Sequence, residues 1–219
     1  MKSMSVIFDM DGVLLDSERA VLAVWQELGR ELTLPGIEAV FRRCVGTNKA
    51  RTEEIFRAAY PGVDFARFDR ETRRRFQSRW GEGRLPVKPG AREILAALRE
   101  RGISLALASS TESGVVRREL DEAGLLSYFD AVVGGDQVTR SKPDPEIFLR
   151  AARALGAVPS DCFVVEDSFN GIRAAQAAGM RPLMVPDLLP PDGEMERLAE
   201  GIFPNLDAAE TYLLQQLKT

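Results

Sequence analysis

Hydrophobic positions along the 219-residue chain change their spacing several times, and each change predicts an element. Val6, Ile7 and Phe8 run without a polar interruption and read as a short buried strand. From Ser17 the spacing turns helical. Val21, Val24, Trp25, Leu28 and Leu32 recur at three- and four-residue intervals, predicting a helix over 17–34 that Pro35-Gly36 breaks. Further helical patterns cover 37–43, 49–60 and 65–80, and no strand pattern stands between 17 and 84. Beyond Pro89-Gly90 helices and apolar runs alternate. Helices are predicted at 91–101, 114–123, 145–155, 171–178 and 207–217. Strands are predicted at 103–108, 131–133, 162–165 and 182–185, with a weaker one at 201–203.

Strands alternating with helices predict the α/β class: a Rossmann-like parallel sheet with helices on both faces. The all-helical stretch is too long for an ordinary crossover between strands. It reads as an inserted cap domain over 17–84, leaving 1–16 and 85–219 as the α/β core. The chain shows no internal repeat and no low-complexity tract.

Composition narrows the function. The chain is 45% hydrophobic and 28% charged, as expected for a globular protein, and its net charge of −4 offers no basic field to nucleic acid or an anionic membrane. No apolar run approaches the ~20 residues of a membrane span, and Asp9 and Asp11 interrupt the segment a signal peptide would need. Cys44 and Cys162 stand alone and fit no metal spacing, so they read as reduced thiols of a cytoplasmic protein; separately, a monomer is expected. The chain has no histidine, which excludes a Ser-His-Asp triad, a His-ligated zinc and a histidine base. Residues 17–84 hold 14 Lys and Arg against 10 Asp and Glu, a net +4 facing −8 elsewhere. That asymmetry is equally compatible with recruiting phosphorylated substrates and with chance. Arg73, Arg74 and Arg75 read as a solvated helix face, and Trp25, Trp80, Met180 and Met184 as core.

In a doubly covered parallel sheet, ligands bind beyond the carboxyl ends of the strands. Four polar clusters fall there. Asp9 and Asp11 follow the first strand, Ser109-Ser110-Thr111 the second, Lys142 lies beyond the third, and Glu166-Asp167 follow the fourth. Each alone is an ordinary loop residue or helix cap. Together they are carboxylates that repel unless a hard cation sits among them, and an oxygen-only donor set suits Mg²⁺. With Lys142 the cluster would accept a phosphate dianion. Asp9 could then attack phosphorus, and Asp11 could protonate the leaving alcohol and later deprotonate a water. Ser109 and nearby backbone N–H groups would hold phosphoryl oxygens at a helix N-terminus.

The segments Asp-Met-Asp-Gly-Val-Leu-Leu-Asp-Ser (9–17), Leu-Ala-Leu-Ala-Ser-Ser (105–110), Ser-Lys-Pro-Asp-Pro (141–145) and Val-Val-Glu-Asp-Ser-Phe-Asn-Gly-Ile (164–172) resemble, in order, the four motifs of the haloacid dehalogenase superfamily. The helical insert resembles the cap of its β-phosphoglucomutase-like subgroup. The resemblance implies Asp9 as nucleophile, Asp11 as acid/base, and Ser109 and Lys142 as phosphate ligands. It further implies Mg²⁺ on Asp9, the Asp11 carbonyl, Asp167 and Glu166. Asp11 argues against a dehalogenase, which lacks this residue. Residues 43–51 resemble the subgroup's specificity loop, giving Gly46 and Lys49, with Ser110, as substrate-binding candidates.

The mutase pattern is broken at three places. Its cap histidine is Val21, its cap arginine is Lys49, and the lysine after the second strand is Glu112. Loss of anchors for a second phosphate favours transfer to water. The expectation is therefore a Mg²⁺-dependent phosphatase acting on a small phosphate monoester, a sugar phosphate by resemblance. A phosphosugar mutase and a non-catalytic binding protein on the same fold remain as alternatives.

Overall fold

The computed structural model describes residues 4–217. Six parallel strands form one sheet in the order β3-β2-β1-β4-β5-β6: β1 (Ser5–Phe8), β2 (Ser104–Ala108), β3 (Ala131–Val133), β4 (Cys162–Glu166), β5 (Arg181–Met184) and β6 (Gly201–Ile202). β1 lies centrally, with Ile7 paired to Ala106 on one side and Val164 on the other. The chain winds outward through β2 and β3, then returns to β4 and winds the other way. This doubly wound order places a crevice at the carboxyl end of β1.

Strand alternation sorts the side chains between two layers. Val6, Phe8, Leu105, Leu107, Phe163 and Val165 enter one core with Ile94, Leu98, Val116, Leu120, Leu206 and Leu213. These helix residues belong to α5 (Ala91–Glu100), α6 (Ser113–Glu122) and α10 (Leu206–Gln216). Ile7, Ala106, Ala108 and Val164 enter the opposite core with α7 (Glu146–Leu155) and α8 (Phe169–Ala177). Strands buried on both faces explain their unbroken apolar runs.

Between β1 and α5 stand α1 (Ser17–Glu31), α2 (Ile37–Arg42), α3 (Lys49–Ala59) and α4 (Phe65–Trp80). Their facing stripes make a separate core in which the Trp25 ring meets Phe41, Phe56 and Phe68 edge-on at 5.0–5.7 Å. The two chain segments joining these helices to the sheet run side by side: Asp16 donates its N–H to the Pro86 carbonyl at 2.9 Å. A third tie is remote in sequence. Leu188, in the loop after β5, is buried in the four-helix core, and Arg42 donates to its carbonyl.

Most predicted elements stand within a residue or two of expectation. The helix predicted over 17–34 ends at Glu31, because Thr33 takes a left-handed φ of 54° and turns the chain before Pro35. Glu166, expected beyond the fourth strand, is the strand's last residue. A short helix, α9 (Gly193–Leu198), was not predicted. The weak strand at 201–203 is present as β6.

Candidate active site

Asp9 follows β1 and continues its ladder: its N–H bonds the Val165 carbonyl at 3.0 Å. Met10, next along, is fully buried in the sheet core. The chain then turns sharply, with Leu14 and Leu15 donating to the Met10 carbonyl. Gly12 stands at φ +79°, and a Cβ there would lie 2.4 Å from a carboxylate oxygen of Asp167. Only glycine supplies both the turn and the room.

Lys142 reaches this point from the loop before α7. Its ammonium is 2.6 Å from Asp9 Oδ1, 2.7 Å from Glu166 Oε1 and 3.3 Å from the Ala108 carbonyl, so each of its three protons has an acceptor. It also lies 4.9 Å from the centre of the Phe148 ring. Glu166 Oε2 accepts the Ser168 N–H at 2.6 Å. Ser168 in turn caps α8 through Gly171. Both oxygens of Glu166 are therefore engaged, and Gly171 leaves space for its carboxylate over the helix start.

Asp9, Glu166 and Asp167 are buried, with one oxygen of each within 4.8 Å of the others. One lysine does not balance three carboxylates. Burial pushes Asp9 up to about 7 against the pull of Lys142, and Glu166 and Asp11 add to the rise. Asp167 is pushed well above the usual carboxylate range, by burial first and then by Glu166 and Asp9. Burial works against the Lys142 charge too, but Asp9 and Glu166 more than offset it and hold the ammonium protonated.

Asp11 is held differently. Ser17 donates to its Oδ1 at 2.6 Å, while Ser109 and Thr111 donate to its Oδ2 at 3.1 and 3.0 Å. Ser109 Oγ also accepts the Thr111 N–H at 3.0 Å. Three hydroxyls on two elements thus fix one carboxylate two residues beyond Asp9. Ser17 and Thr111 were not read as contacts of Asp11. Their signal was faint: a hydroxyl opening the first helix, and a third hydroxyl after the Ser-Ser pair.

Above these groups lies a cavity of about 890 Å³, roofed by α1, α4 and the loop after α2 and walled on one side by α6. Gly46, Lys49 and Ser110 line it. At Gly46 a Cβ would stand 2.6 Å from that of Ser168, so the roof rests directly on the sheet side. Asn48 reinforces this contact by donating to Ser141 at 2.9 Å. Lys49 is not a free cation, because Asp69 holds it at 2.9 Å. Arg73, Arg74 and Arg75 pair with Asp69, Glu71 and Glu31. Cys44 and Cys162 are free thiols buried in different cores. Among the described residues no helix is long and apolar enough to cross a membrane.

Residues 4–179 match the family model described as haloacid dehalogenase-like hydrolase. The chain is 36% identical over 180 residues to a phosphorylated carbohydrates phosphatase of Thermotoga maritima, spanning 80% of this chain and 82% of that protein. It is 32% identical over 200 residues to hexitol phosphatase B of Escherichia coli K12, spanning 84% and 83%. The solved β-phosphoglucomutase of Clostridium difficile superposes with a TM-score of 0.80 over 99% of this chain and 96% of that one. At 21% identity that likeness is one of fold.

Proposed function

This chain belongs to the haloacid dehalogenase-like hydrolases, and from that membership we propose that it is a phosphatase for phosphorylated carbohydrates, working through an aspartyl-phosphate on Asp9. The observation that carries the reading is the pairing of two differently held carboxylates at one cavity floor. Asp9 is buried against Lys142, and Asp11 is fixed by three hydroxyls two residues on. The names of the two phosphatase relatives supply the substrate class.

In this reading an Asp9 oxygen attacks phosphorus, and the P–O bond to the alcohol breaks. The leaving oxygen takes a proton from Asp11. Asp11 then removes a proton from water, whose oxygen attacks the phosphoryl group and releases inorganic phosphate and free Asp9. Lys142 holds Asp9 in place and places positive charge beside the transferring group. Ser110, on the cavity before the start of α6, would meet phosphoryl oxygens, whereas Ser109 is fully buried off the cavity and its hydroxyl serves Asp11.

The donor chemistry fits Mg²⁺. Asp9 Oδ2 and the Asp167 carboxylate have no protein donor among the described residues, the set is oxygen-only, and the cluster carries more negative charge than Lys142 neutralises. Asp9, Asp167 and the Asp11 carbonyl would hold the ion, with Glu166 adding charge while it anchors Lys142. Bound there, Mg²⁺ would neutralise phosphoryl charge. The helices of 17–84 would act as a cap over a core of 1–16 and 85–219, shielding the reaction from bulk water. The free, buried cysteines are compatible with a cytoplasmic setting.

Water is preferred over a sugar as the acceptor because the three departures from the mutase pattern all reach the cavity. Val21, Lys49 and Glu112 line it, and Lys49 is neutralised by Asp69. The test is phosphate release from a panel of sugar and polyol phosphates, with Mg²⁺ and with excess chelator, for the wild type and Asp9→Asn. Release that is lost in the variant and in chelator is expected. Wild-type-like release by a folded Asp9→Asn protein would remove the covalent mechanism, and full activity in chelator would remove the metal.

A further inference from the structure

The cavity is larger than a phosphate requires, and two polar groups on it have no task in the proposed chemistry. Glu18 stands in the first turn of α1, half-buried, on the cavity wall. Acidic residues in a first turn usually face solvent and complement the helix dipole. Glu18 instead shares an enclosed space with like charges. Burial pushes its carboxyl up to about 8, and Asp11, Asp9, Asp187 and Glu166 all add to the rise, with no cation among the main influences. No side chain among the described residues donates to it.

Thr72 is the independent observation. It lies within α4, is 7% exposed, lines the same cavity, and its hydroxyl has no hydrogen-bond partner. A threonine inside a helix ordinarily returns its hydroxyl to the carbonyl four residues back, and a buried hydroxyl without a partner is rare. Thr72 offers one donor and two acceptor positions that nothing in the chain uses.

The charges nearby restrict what could use them. Lys49 and Arg73 both sit on Asp69, at 2.9 and 3.2 Å, and Arg118 on the α6 wall lies 4.0 Å from Glu122, while Glu18, Glu112 and Glu119 have no ion-pair partner among the described residues. A second phosphate on the substrate would meet a wall where acidic residues outnumber the cations that are not already held, Arg118 standing among Glu18, Glu112 and Glu119. A chain of hydroxyl groups would meet acceptors lacking donors.

We infer that Glu18 and Thr72 form a hydroxyl-recognising subsite for the leaving alcohol, making this a site for monophosphates of uncharged polyols or sugars and excluding bisphosphates. The inference deepens the phosphatase reading and rests on it for the placement of the phosphate. Glu18 exchanges hydrogen bonds with hydroxyls of the leaving group, and Thr72 does so with a hydroxyl farther along it. Neither residue touches phosphorus, so both act on specificity.

Turnover of glucitol 6-phosphate, glucose 6-phosphate, fructose 1,6-bisphosphate and acetyl phosphate would be compared in the wild type, Glu18→Ala, Glu18→Gln and Thr72→Val. Acetyl phosphate carries no hydroxyl and reports the phosphate site alone. The wild type should prefer the monophosphates over the bisphosphate. Glu18→Ala should raise KM for a preferred monophosphate by up to about tenfold, the upper range for a hydrogen bond between neutral groups. That loss should exceed its loss on acetyl phosphate several-fold, the equivalent of about 1 kcal/mol, with Glu18→Gln intermediate. Thr72→Val should show the same selectivity at smaller size. Equal losses on acetyl phosphate and the monophosphates, or a bisphosphate turned over as well as a monophosphate, would overturn the subsite.

Calorimetric binding of glucitol 6-phosphate to Asp9→Asn, with and without Glu18→Ala, reads the subsite without turnover. A wild type that hydrolyses none of these phosphates defeats the phosphatase reading, whereas binding unaffected by Glu18→Ala defeats the subsite.

Discussion

Asp9, Glu166 and Asp167 put three carboxylates into a buried space with one ammonium, and that imbalance has a measurable consequence. A carboxyl whose folded value is raised binds its proton more tightly in the folded than in the unfolded chain. For Asp9, stability is therefore lost as pH rises from about 3.8, its ordinary value, to about 7. Asp167 is shifted in the same direction. A divalent cation relieves the same repulsion and competes with the protons. Mg²⁺ should therefore raise Tm more at pH 8 than at pH 5, its binding adding up to the ~2.7 kcal/mol of stability that ligand at a hundred times its Kd supplies. Differential scanning fluorimetry at both pH values, repeated on Asp167→Asn, checks this. An equal shift at both pH values, or an undiminished one in the variant, would place the ion elsewhere. These charged residues were legible in the sequence because each motif carries its chemistry in a few adjacent positions. The hydrogen bonds that hold Asp11 were not. Ser17 and Thr111 are 94 positions apart, and only the sheet order brings them to one carboxylate.

At the scale of elements, what the sequence displays well is repetition. α4 occupies the predicted 65–80 because sixteen residues give the apolar stripe several turns in which to declare itself. α9 has six residues and buries only Met195, so no period could show, and Pro190-Pro191 before it reads as loop. Helix ends were less legible, since the Thr33 turn that shortens α1 depends on one backbone angle. The loop after α2 carries an element-level prediction. Gly46 has φ +69°, and its Cα side faces Ser168. Gly46→Ala would add about 1–2 kcal/mol of left-handed strain and push the loop off Ser168. KM for the best ester should rise about tenfold, an effect equivalent to ~1.4 kcal/mol, while the denaturation midpoint barely moves if the strain is released by lifting the loop. Steady-state kinetics beside a urea titration separates the two. Unchanged kcat/KM would mean that the roof need not rest on Ser168.

The molecule as a whole joins its two sets of elements by more than the paired chain crossings at Asp16 and Pro86. The Asp187 side chain is buried and accepts from Arg19 of α1 at 2.8 Å and from Lys88 at 2.8 Å. Leu188 beside it fills the core of α1–α4, although it belongs to a loop of the sheet. No sequence pattern could announce this, because a single leucine in a proline-rich loop has no period and its partners lie in another part of the chain. The physical effect is a pivot. The four helices cannot swing from the sheet without either carrying this loop along or drawing Leu188 out of an apolar core. Leu188→Ala should destabilise the protein by about 2 kcal/mol, the low end for a buried leucine, because a loop can settle into the space it leaves. It should also loosen the seating of the four helices on the site, so that KM rises for every ester while their order of preference stays the same. Glu18→Ala, by contrast, should change that order. Urea denaturation and kinetics on two esters decide the matter. A loss of stability without any change in KM would show that Leu188 merely fills space, and no loss of either would show that the loop is not held by the helices in solution.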